Sequence, residues 1–561
     1  MTTAGTYTVA DYLLDRLAEL GVRTMFGVPG DYSLGLLDHV VRHQAVNWVG
    51  TSNELNAGYA ADGYGRLRGI AALCTTFGVG ELSAINAITG SYAEFVPVVH
   101  VVGAPKMAAQ SAHKMVHHTL GDGVFTHFLA MHADITCAQA ALTLDHAVGE
   151  IDRVLTTVRD RHLPGYLLIP ADVAEFAVEP PSEPLPPRTS RTDPAVTAAY
   201  ARAAAALLST AASPSGVSVL VGLLAHRLGA AHELDRLLAA GQLPHATSLW
   251  AKSLVDESAP SFVGTYAGAA SDEATRKAVE KSQVLIVAGV QFTDLNTGLF
   301  SQQISRERTI EIGAATASVG TQTFGPLELR DALAALIPLV AALAAANRAL
   351  SAAPGSKVPA AAEVPGEATP LSQQLLWDQV AGFLRAGDIV LADQGTCFYG
   401  MGTRRLPSGV TFVGQPLWAS IGYTLPALLG VGLAEPGRRG ILLIGDGAAQ
   451  MTAQELATVF RHGLTPVVIV VDNDGYTVER AIHGPTEPYN DISRWDWTSA
   501  PAFFGGVADT ARVTTVGELR TALERAQAGP GRLTLLQVVV PAMDVPPLLA
   551  TLARSLGAPA R

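Results

Sequence analysis

One segment of the sequence combines acidic, amide and glycine residues in a spacing suited to binding an anion and a cation together. Residues 441–473 read ILLIGDGAAQMTAQELATVFRHGLTPVVIVVDN. The glycines on either side of Asp446 let backbone N–H groups approach an anion, and the N-terminus of the next predicted helix favours negative charge. Asp446, the side-chain oxygen of Asn473 and the carbonyl oxygen of Gly475 are ligands of the kind that Mg²⁺ prefers. We therefore predict a site for a diphosphate and a divalent cation.

An alternative interpretation is a tight turn in which Asp446 caps a helix. The position of Asn473, 27 residues later and beyond a predicted helix and strand, argues against it. Two other nucleotide motifs are missing. The sequence has no G-x-x-x-x-G-K-[ST] segment, and both Gly445-Asp446-Gly447 and Gly78-Val79-Gly80 lack the third glycine of the dinucleotide fingerprint.

The elements that must position these residues are predicted as strands alternating with helices. This alternation is typical of an α/β protein with doubly wound parallel sheets covered on both faces. The length of 561 residues suggests about three domains, which we place at residues 1–180, 193–345 and 368–561. Proline-rich residues 179–188 and Ala/Pro/Gly-rich residues 341–368 are the predicted linkers. Strands are predicted at 24–28, 70–77, 95–102, 165–169, 218–221, 262–264, 284–287, 389–391, 441–444, 467–471 and 533–540.

Two helix N-termini have the capping-box pattern, a hydroxyl residue followed three positions later by an acidic one. Thr8 with Asp11 predicts one at the first helix, and Thr452 with Glu455 predicts another in the third domain.

Composition excludes several classes of protein. Lys+Arg 38 against Asp+Glu 50 gives a net charge of −12, which argues against nucleic-acid binding. Three scattered cysteines do not suit a disulfide framework or a zinc cluster, which favours a reducing compartment. We expect no signal peptide, and we expect apolar stretches such as residues 466–471 to be too short to span a bilayer. A cytoplasmic enzyme is expected.

Longer motifs resemble those of thiamine diphosphate enzymes, and more narrowly the 2-oxo acid decarboxylases that act on pyruvate, indolepyruvate, phenylpyruvate or branched-chain 2-keto acids. The motifs are FGVPGDYSLGLLD at 26–38, NELNAGYAADGYGR at 53–66, FGVGELSAINAITGSYAE at 77–94, HHTLGDG at 117–123 and DNDGYTVERAIHG at 472–484. The resemblance covers nearly the whole chain. It implies pyrimidine-binding, middle and diphosphate-binding domains in that order, with thiamine diphosphate and Mg²⁺ as cofactors.

The resemblance also implies five catalytic residues. Glu54 is expected beside N1′ of the cofactor pyrimidine, where its carboxyl promotes proton removal from C2. The adjacent pair His117 and His118 is typical of decarboxylases rather than carboligating synthases. Together with Asp31 these histidines are expected to protonate the reacting carbon and help release the aldehyde. Glu479 is expected near C2, in apolar surroundings that keep it neutral when the substrate carboxylate binds.

Further residues are expected to bind the cofactor. The 4′-amino group is assigned to a backbone carbonyl within residues 416–421, and Ile421 is expected to hold the cofactor bent. Ala419 stands where many relatives have glycine. The full set implied by the resemblance is Glu54, Thr76, Gly395, Ala419, Ser420, Ile421, Gly445, Asp446, Gly447, Ala448, Asn473, Gly475, Tyr476 and Thr477.

The substrate pocket is expected to be apolar and fairly large. Pyruvate decarboxylases tend to have tryptophan where this chain has Phe398, and Gln394 with Phe398 is more similar to enzymes for branched-chain and aromatic acids. The expected pocket residues are Gln394, Phe398, Val478, Ile482, Leu552 and Leu556. An equally weighted alternative is that the two leucines only pack the C-terminal helix.

These observations favour non-oxidative decarboxylation of an aromatic or branched-chain 2-oxo acid to an aldehyde and CO₂. A pyruvate decarboxylase and an acetolactate-type carboligase are the enzyme alternatives, and the latter is disfavoured by the histidine pair and by the lack of a recognisable FAD-binding feature. A catalytically idle cofactor-binding protein is the third alternative. The resemblance implies a homo-oligomer, at least a dimer and by expectation a tetramer, whose only other partner is a small-molecule acid.

Overall fold

Three open sheets with helices on both faces make up the computed structural model, which describes residues 6–347, 366–529 and 531–556. The predicted α/β class is confirmed. The first sheet has six parallel strands in the order β2-β1-β3-β4-β6-β5. Its strands are β1 Thr24–Gly27, β2 Asn47–Gly50, β3 Ala71–Thr76, β4 Val98–Ala104, β5 Ala138–Ala141 and β6 Gly165–Pro170. Its helices are α1 Val9–Glu19, α2 Leu34–Arg42, α3 Glu54–Arg68, α4 Val79–Ala93, α5 Met107–Ser111, α6 His127–Met131, α7 Ala147–Arg161 and α8 Ala171–Ala174.

The second sheet has seven strands in the order β13-β12-β11-β10-β7-β8-β9. It departs from the predicted all-parallel arrangement, because β12 pairs antiparallel with both β11 and β13. Its strands are β7 Val217–Val221, β8 His245–Ser248, β9 Phe262–Tyr266, β10 Val284–Ala288, β11 Thr309–Ile312, β12 Ala317–Val319 and β13 Gln322–Phe324. Its helices are α9 Pro194–Leu208, α10 Leu224–Arg227, α11 Ala231–Gly241, α12 Glu273–Glu280 and α13 Leu329–Asn347.

The third sheet has six parallel strands in the order β15-β14-β16-β17-β19-β18, the same relative order as the first. Its strands are β14 Ile389–Ala392, β15 Thr411–Val413, β16 Gly440–Gly445, β17 Val467–Asp472, β18 Ala508–Val513 and β19 Leu533–Val539. Its helices are α14 Gln373–Phe383, α15 Thr396–Gly402, α16 Thr424–Ala434, α17 Asp446–Thr452, α18 Leu456–Arg461, α19 Thr477–Ile482, α20 Ala500–Phe503, α21 Val516–Ala528 and α22 Pro547–Leu556.

Helix α13 corrects one expectation. Its window Leu329–Ala346 has a mean hydropathy of 1.8, so among the described helices this one is long and apolar enough to cross a membrane by length and composition alone. Core helices of globular domains satisfy the same criterion. One face of α13 carries Leu333 and Leu336 into the core of the second domain. The helix also occupies the start of the predicted linker 341–368, of which residues 348–365 lie outside the described part of the chain.

The first and third domains share one hydrophobic core through the contact of α3 with α16. Small residues make the close approach possible, because a side chain on Gly430 would lie 1.9 Å from the carbonyl oxygen of Ala60. Helix α3 begins where the Asn53 side chain accepts from the Asn56 N–H at 2.8 Å, a capping bond of the usual kind. This helix therefore carries Glu54 in its first turn and fixes it relative to both domains.

Candidate active site

The carboxyl ends of β14, β16 and β17 meet at one edge of the third sheet, because these strands are parallel neighbours. The segments that follow them surround a cavity of about 340 Å³. Its lining includes most residues that the sequence assigned to the diphosphate and the cation: Gly395, Ala419, Ile421, Gly445, Asp446, Gly447, Ala448, Asn473, Gly475, Tyr476 and Thr477. The structure thus brings together residues from four separate segments of the chain.

Three oxygen atoms converge at the polar end of this cavity. With the Asn473 amide oxygen turned towards Asp446, it lies 3.0 Å from Asp446 Oδ1 and 3.1 Å from the Gly475 carbonyl oxygen, while its nitrogen lies 3.0 Å from Thr477 Oγ1. Three acceptors at such distances repel one another unless a donor or a cation lies between them. Carboxylate, amide and carbonyl oxygens are a suitable ligand set for Mg²⁺. In the alternative orientation of the Asn473 amide, its NH₂ group donates to the Asp446 and Gly475 oxygens, so that a donor takes the place of the third acceptor.

Asp446 itself lacks a cationic side chain as a partner within the described residues. Burial raises the pKa of Asp446 to about 7, although hydrogen bonds from the N–H groups of Gly447 (2.8 Å) and Gly475 (3.2 Å) lower it. A buried carboxylate of this kind gains most from a positive ligand. The donor set and its burial fit a divalent cation.

The walls of the cavity away from this end are largely apolar. Val478 and Ile482 on α19, with Leu552 and Leu556 on α22, line it as the sequence predicted, and so does Gln394. Phe398 is not among the residues that line this cavity. Its side chain is 2% exposed, packs on Phe412 at a ring-centroid distance of 5.7 Å, and lines a separate cavity of about 120 Å³.

The neighbouring Tyr399 lines the cavity instead of Phe398, together with Leu549, Cys397 and two residues of the second domain, Asp294 and Leu295. Cys397 and Leu549 lie in the two segments, 393–398 and 545–556, from which the resemblance implied pocket residues, whereas sequence reasoning missed Tyr399, Asp294 and Leu295.

The loop between β15 and α16 forms one side of the cavity with Ala419 and Ile421. Ala419 has φ +58°, a left-handed conformation that costs a residue with a Cβ more than it costs glycine. Ser420 does not line the cavity, because its hydroxyl lies 2.5 Å from the Tyr59 hydroxyl in the first domain.

A buried ion network holds this loop. Arg66 contacts Asp62 at 2.6 Å and Glu94 at 2.9 Å, and it also donates to the Gly414 carbonyl oxygen at 2.7 Å. Glu94 accepts from the Leu417 N–H at 2.9 Å. These charged residues lie inside quoted motifs, yet the sequence analysis gave them no role. The sequence feature that could have indicated this network is that its charged residues stand in stretches rich in alanine and glycine, where a solvated helix surface is not expected.

A second group of predicted residues lies at the edge of the first sheet. His117 Nε2 donates to Asp31 Oδ2 at 2.7 Å, and its ring stacks on Tyr32 at 4.8 Å. His118, with φ +62°, completes a cluster in which nitrogen and carboxylate atoms lie within 4.8 Å of one another. The side chains of His117 and Asp31 are 58% and 49% exposed.

Glu54 and Thr76 lie beside this cluster, around the N-terminus of α4. A methyl group on Gly80 would lie 3.3 Å from Glu54 Oε1 and 3.1 Å from Thr76 Cγ2, and one on Gly78 would lie 2.1 Å from the His118 carbonyl oxygen. The Thr76 hydroxyl is buried and has no hydrogen-bond partner among the described residues. An unpartnered buried hydroxyl beside a carboxyl is consistent with a polar ligand at this position.

The two groups remain separate within one chain. None of Asp31, Glu54, Thr76, His117 and His118 lines the cavity of the third domain. Apolar side chains near the first group are exposed, including Val79 at 57% and Leu120 at 62%.

Two further expectations are corrected by the structure. Glu479 lines the cavity but is exposed, so this chain alone does not provide the apolar enclosure that was predicted. Thr452 and Glu455 form no capping box, since the Thr452 hydroxyl donates to the Gly422 carbonyl oxygen at 2.8 Å. Oε2 of Glu455 instead accepts from the Asn56 side chain at 2.8 Å and from the Ser52 N–H at 3.2 Å.

Comparison with known families gives three matches along the chain. Residues 7–126 match the model described as thiamine pyrophosphate enzyme, N-terminal TPP binding domain. Residues 201–336 match the central domain of the same enzymes, and residues 396–538 match their C-terminal TPP binding domain.

Curated proteins match over nearly the same length. An alpha-keto-acid decarboxylase from Mycobacterium leprae (strain TN) is 54% identical over 549 residues, which are 98% of this chain and 95% of that protein. One from Mycolicibacterium paratuberculosis (strain ATCC BAA-968 / K-10) is 55% identical over 553 residues, 98% of this chain and 97% of that protein. One from Mycobacterium tuberculosis (strain ATCC 25618 / H37Rv) is 54% identical over 553 residues, with the same coverage.

Proposed function

The chain belongs to the thiamine pyrophosphate enzymes, and on that premise we propose that it decarboxylates 2-oxo acids to an aldehyde and CO₂. The observation that carries the proposal is the convergence of Asp446, Asn473 and Gly475 oxygens at the polar end of a largely apolar cavity. In this proposal Asp446, Asn473 and Gly475 would hold Mg²⁺. The segments 445–448 and 473–477 would hold the diphosphate of the cofactor.

The chemistry that thiamine diphosphate supplies when bound is an electron sink for breaking the bond between the carbonyl carbon and the carboxylate. The residues supply placement and protons. Each aldehyde released takes up one proton, because the carbon that loses CO₂ gains hydrogen. Asp31, His117 and His118 are assigned to this transfer, since the 2.7 Å bond from His117 to Asp31 orients one ring. Glu54 is assigned to the proton at N1′ of the pyrimidine.

The apolar walls contribute to the same step. Val478, Ile482 and Leu552 surround the space next to the cofactor position. A carboxylate moved into such a space is less well solvated than in water, and its charge is dispersed as CO₂ leaves. Enclosure by these side chains therefore favours loss of CO₂ over return of the acid to solvent.

The active unit is proposed to be a dimer, and a tetramer of two such dimers is expected. The proton-transfer residues Asp31 and His117 are exposed and lie apart from the cavity that carries Asp446. Two copies related by two-fold symmetry bring the first group of one protomer to the cavity of its partner. Such an arrangement also covers the exposed Val79 and Leu120.

The substrate is proposed to be an aromatic or branched-chain 2-oxo acid, and the location to be the cytoplasm. The apolar side chains of Val478, Ile482, Leu552 and Leu556 on α19 and α22 offer contacts to a side chain larger than the methyl group of pyruvate. Each additional buried CH₂ group contributes about 0.8 kcal/mol. The cysteines Cys74, Cys137 and Cys397 are free, as is usual in a reducing compartment.

An aldehyde assay with added thiamine diphosphate and Mg²⁺ tests the proposal. Pyruvate, 3-methyl-2-oxobutanoate, phenylpyruvate and indolepyruvate are compared under the same conditions, with acetolactate measured in parallel. We expect aldehyde from the larger acids, with kcat/KM at least about tenfold above that for pyruvate. Acetolactate as the main product would indicate a synthase, and no product from any acid would contradict the proposed function. Asp509→Ala is the control for Asp446→Ala, because Asp509 forms a surface ion pair with Arg532.

A further inference from the structure

One buried carboxyl group of the first domain takes no part in the chemistry assigned above. Glu81 lies in the first turn of α4, and its side chain is fully buried. Within the described residues, no lysine or arginine forms an ion pair with it. His132 Nδ1 lies 3.8 Å from Glu81 Oε2, but burial lowers the pKa of this histidine, which is therefore neutral at neutral pH. A buried carboxyl group without a cationic partner costs free energy, so a specific use for it is expected.

The two oxygens of Glu81 accept hydrogen bonds from different parts of the first domain. Oε2 accepts from the Tyr166 hydroxyl on β6 at 2.6 Å, and Oε1 accepts from the Gly78 N–H at 2.8 Å. Gly78 precedes α4 and has φ +62° and ψ −90°, a turn conformation that glycine adopts much more readily than other residues. The carboxyl group of Glu81 thus connects this turn to a strand of the sheet.

The turn at Gly78 supports the backbone of His118. A methyl group on Gly78 would lie 2.1 Å from the His118 carbonyl oxygen and 2.9 Å from Phe128 Cε2, so both residues pack directly on this glycine. His118 has φ +62°, which is unfavourable for a residue with a Cβ. Such a conformation persists only where the surrounding structure enforces it. Loss of the Gly78 turn would therefore let the His118 backbone relax and move its ring.

We propose that Glu81 is a positioning residue for His118: its carboxyl group holds the Gly78 turn, and that turn fixes the backbone from which the His118 ring reaches the reacting carbon. This inference rests on the proposed function and on the proton transfer assigned to His118. Glu81 itself contacts neither substrate nor cofactor. Its effect falls on the steps that follow loss of CO₂, in which the carbon gains a proton and the aldehyde leaves.

Single-turnover measurements on the holoenzyme with thiamine diphosphate and Mg²⁺ separate these steps. Release of CO₂ and release of aldehyde are timed in the same reaction, with whichever of the four acids named above the wild type converts fastest. Glu81→Leu is expected to slow aldehyde release by about tenfold or more and to change CO₂ release by less than about threefold, because a small displacement of a proton donor is costly. Hydrogen–deuterium exchange at C2 of the bound cofactor should persist, since it is assigned to Glu54.

Two further substitutions separate positioning from helix capping. Glu81→Gln keeps an acceptor for the Gly78 N–H and is expected to restore aldehyde release to within about threefold of the wild-type rate. Asp11→Leu is the control for loss of a cap, because Asp11 is the acid at the same position of α1 and accepts from the Thr8 N–H at 2.9 Å. We expect Asp11→Leu to lower Tm without changing either rate.

Gly78→Ala tests the contact from the other side. Its methyl group would overlap with the His118 carbonyl oxygen while Glu81 remains in place, so aldehyde release should slow selectively, as in Glu81→Leu. Gly69→Ala is the matched control. Gly69, at the end of α3, has φ +85°, but a methyl group there would have no heavy atom of another segment within 4 Å. Both rates should therefore stay at the wild-type values in Gly69→Ala.

The outcomes distinguish this inference from the function on which it rests. If the wild type releases neither CO₂ nor aldehyde from any of the acids, the proposed function is wrong. If the wild type is active but Glu81→Leu and Gly78→Ala slow both releases alike, or leave both unchanged, Glu81 does not act through His118 although the function stands. Because two unrelated substitutions carry the same expectation, a variant that fails to fold does not prevent the test.

Discussion

Oδ2 of Asp31 and Nε2 of His117 are 2.7 Å apart, although 86 residues separate the two in the sequence. They meet because β1 and β4 lie on either side of β3 in one parallel sheet, so the segments that follow both strands leave the same edge. The carboxylate accepts the Nε2 hydrogen and so orients the ring. The two side chains form one proton-transfer unit.

Removing either member of this unit is expected to slow the reaction. Asp31→Asn and His117→Ala should each lower kcat by about 10²-fold with little change in KM, and the double variant should be no slower than the worse single variant. The two single variants, Asp31→Asn and His117→Ala, should retain hydrogen–deuterium exchange at C2 of the bound cofactor, whereas Glu54→Gln should lose this exchange. Steady-state kinetics and NMR measure these effects. Additive losses in the double variant would contradict a shared unit.

The cation site is expected to require Asp446. Asp446→Ala removes one of three convergent oxygens and should abolish Mg²⁺-dependent binding of thiamine diphosphate in calorimetry. Asp509→Ala, on β18, removes only a surface ion pair with Arg532 and should leave the affinity close to that of the wild type. Equal affinity in the Asp446→Ala and wild-type proteins would show that the cation lies elsewhere.

Complementation between two inactive chains tests the location of the site. Glu54→Gln and Asp446→Ala are each expected to be inactive alone, and their mixture after subunit exchange should regain about a quarter of the wild-type activity. Half of the dimers in the mixture are hybrids, and each hybrid has one site with both native residues. A mixture that stays inactive despite exchange, verified by mass spectrometry, would place both residues in a site within one chain.

The buried network around Arg66 should contribute strongly to stability. Arg66→Leu leaves Asp62 and Glu94 buried without their partner, which should lower the free energy of unfolding by about 3–5 kcal/mol. Arg68→Leu is the control, because the contact of Arg68 with Glu435 is 3.9 Å long and exposed, and its loss should cost less than about 1 kcal/mol. Urea denaturation compares the two variants, and similar losses in both would refute the role of burial.

Glu81 should make stability depend on pH. Burial raises the pKa of Glu81 from 4.5 to about 7, although the Tyr166 hydroxyl (2.6 Å) and the Gly78 N–H (2.8 Å) donate to it and lower the value. Between these two values the folded chain binds more protons than the unfolded chain, so this contribution to stability is lost as the pH rises. Relative to Glu81→Gln, the wild type should lose about 2 kcal/mol or more between about pH 5 and about pH 8. Urea denaturation of both proteins at both pH values measures this difference. An equal change in the free energy of unfolding in the wild type and in Glu81→Gln would contradict the prediction.

Residue types and strand spacing were sufficient to predict much of this molecule. The apolar run at residues 467–471 became β17 Val467–Asp472, and the helix start at Thr8 and Asp11 formed its capping box. Such features depend on neighbours within a few positions, because strand periodicity and capping are local. The same pattern at Thr452 and Glu455 does not form a capping box, because the Glu455 carboxylate accepts hydrogen bonds from the first domain instead.

The sequence by itself determined which chemical groups are present and that Asp446 and Asn473 follow neighbouring strands, because parallel strands carry the residues after them to one edge of the sheet. Only the tertiary structure decided which side chains face the cavity. Phe398 packs on Phe412, 14 positions away, whereas the adjacent Tyr399 lines the cavity. The place of Asp294 in the wall was likewise decided by the contact between two domains, which no local pattern encodes.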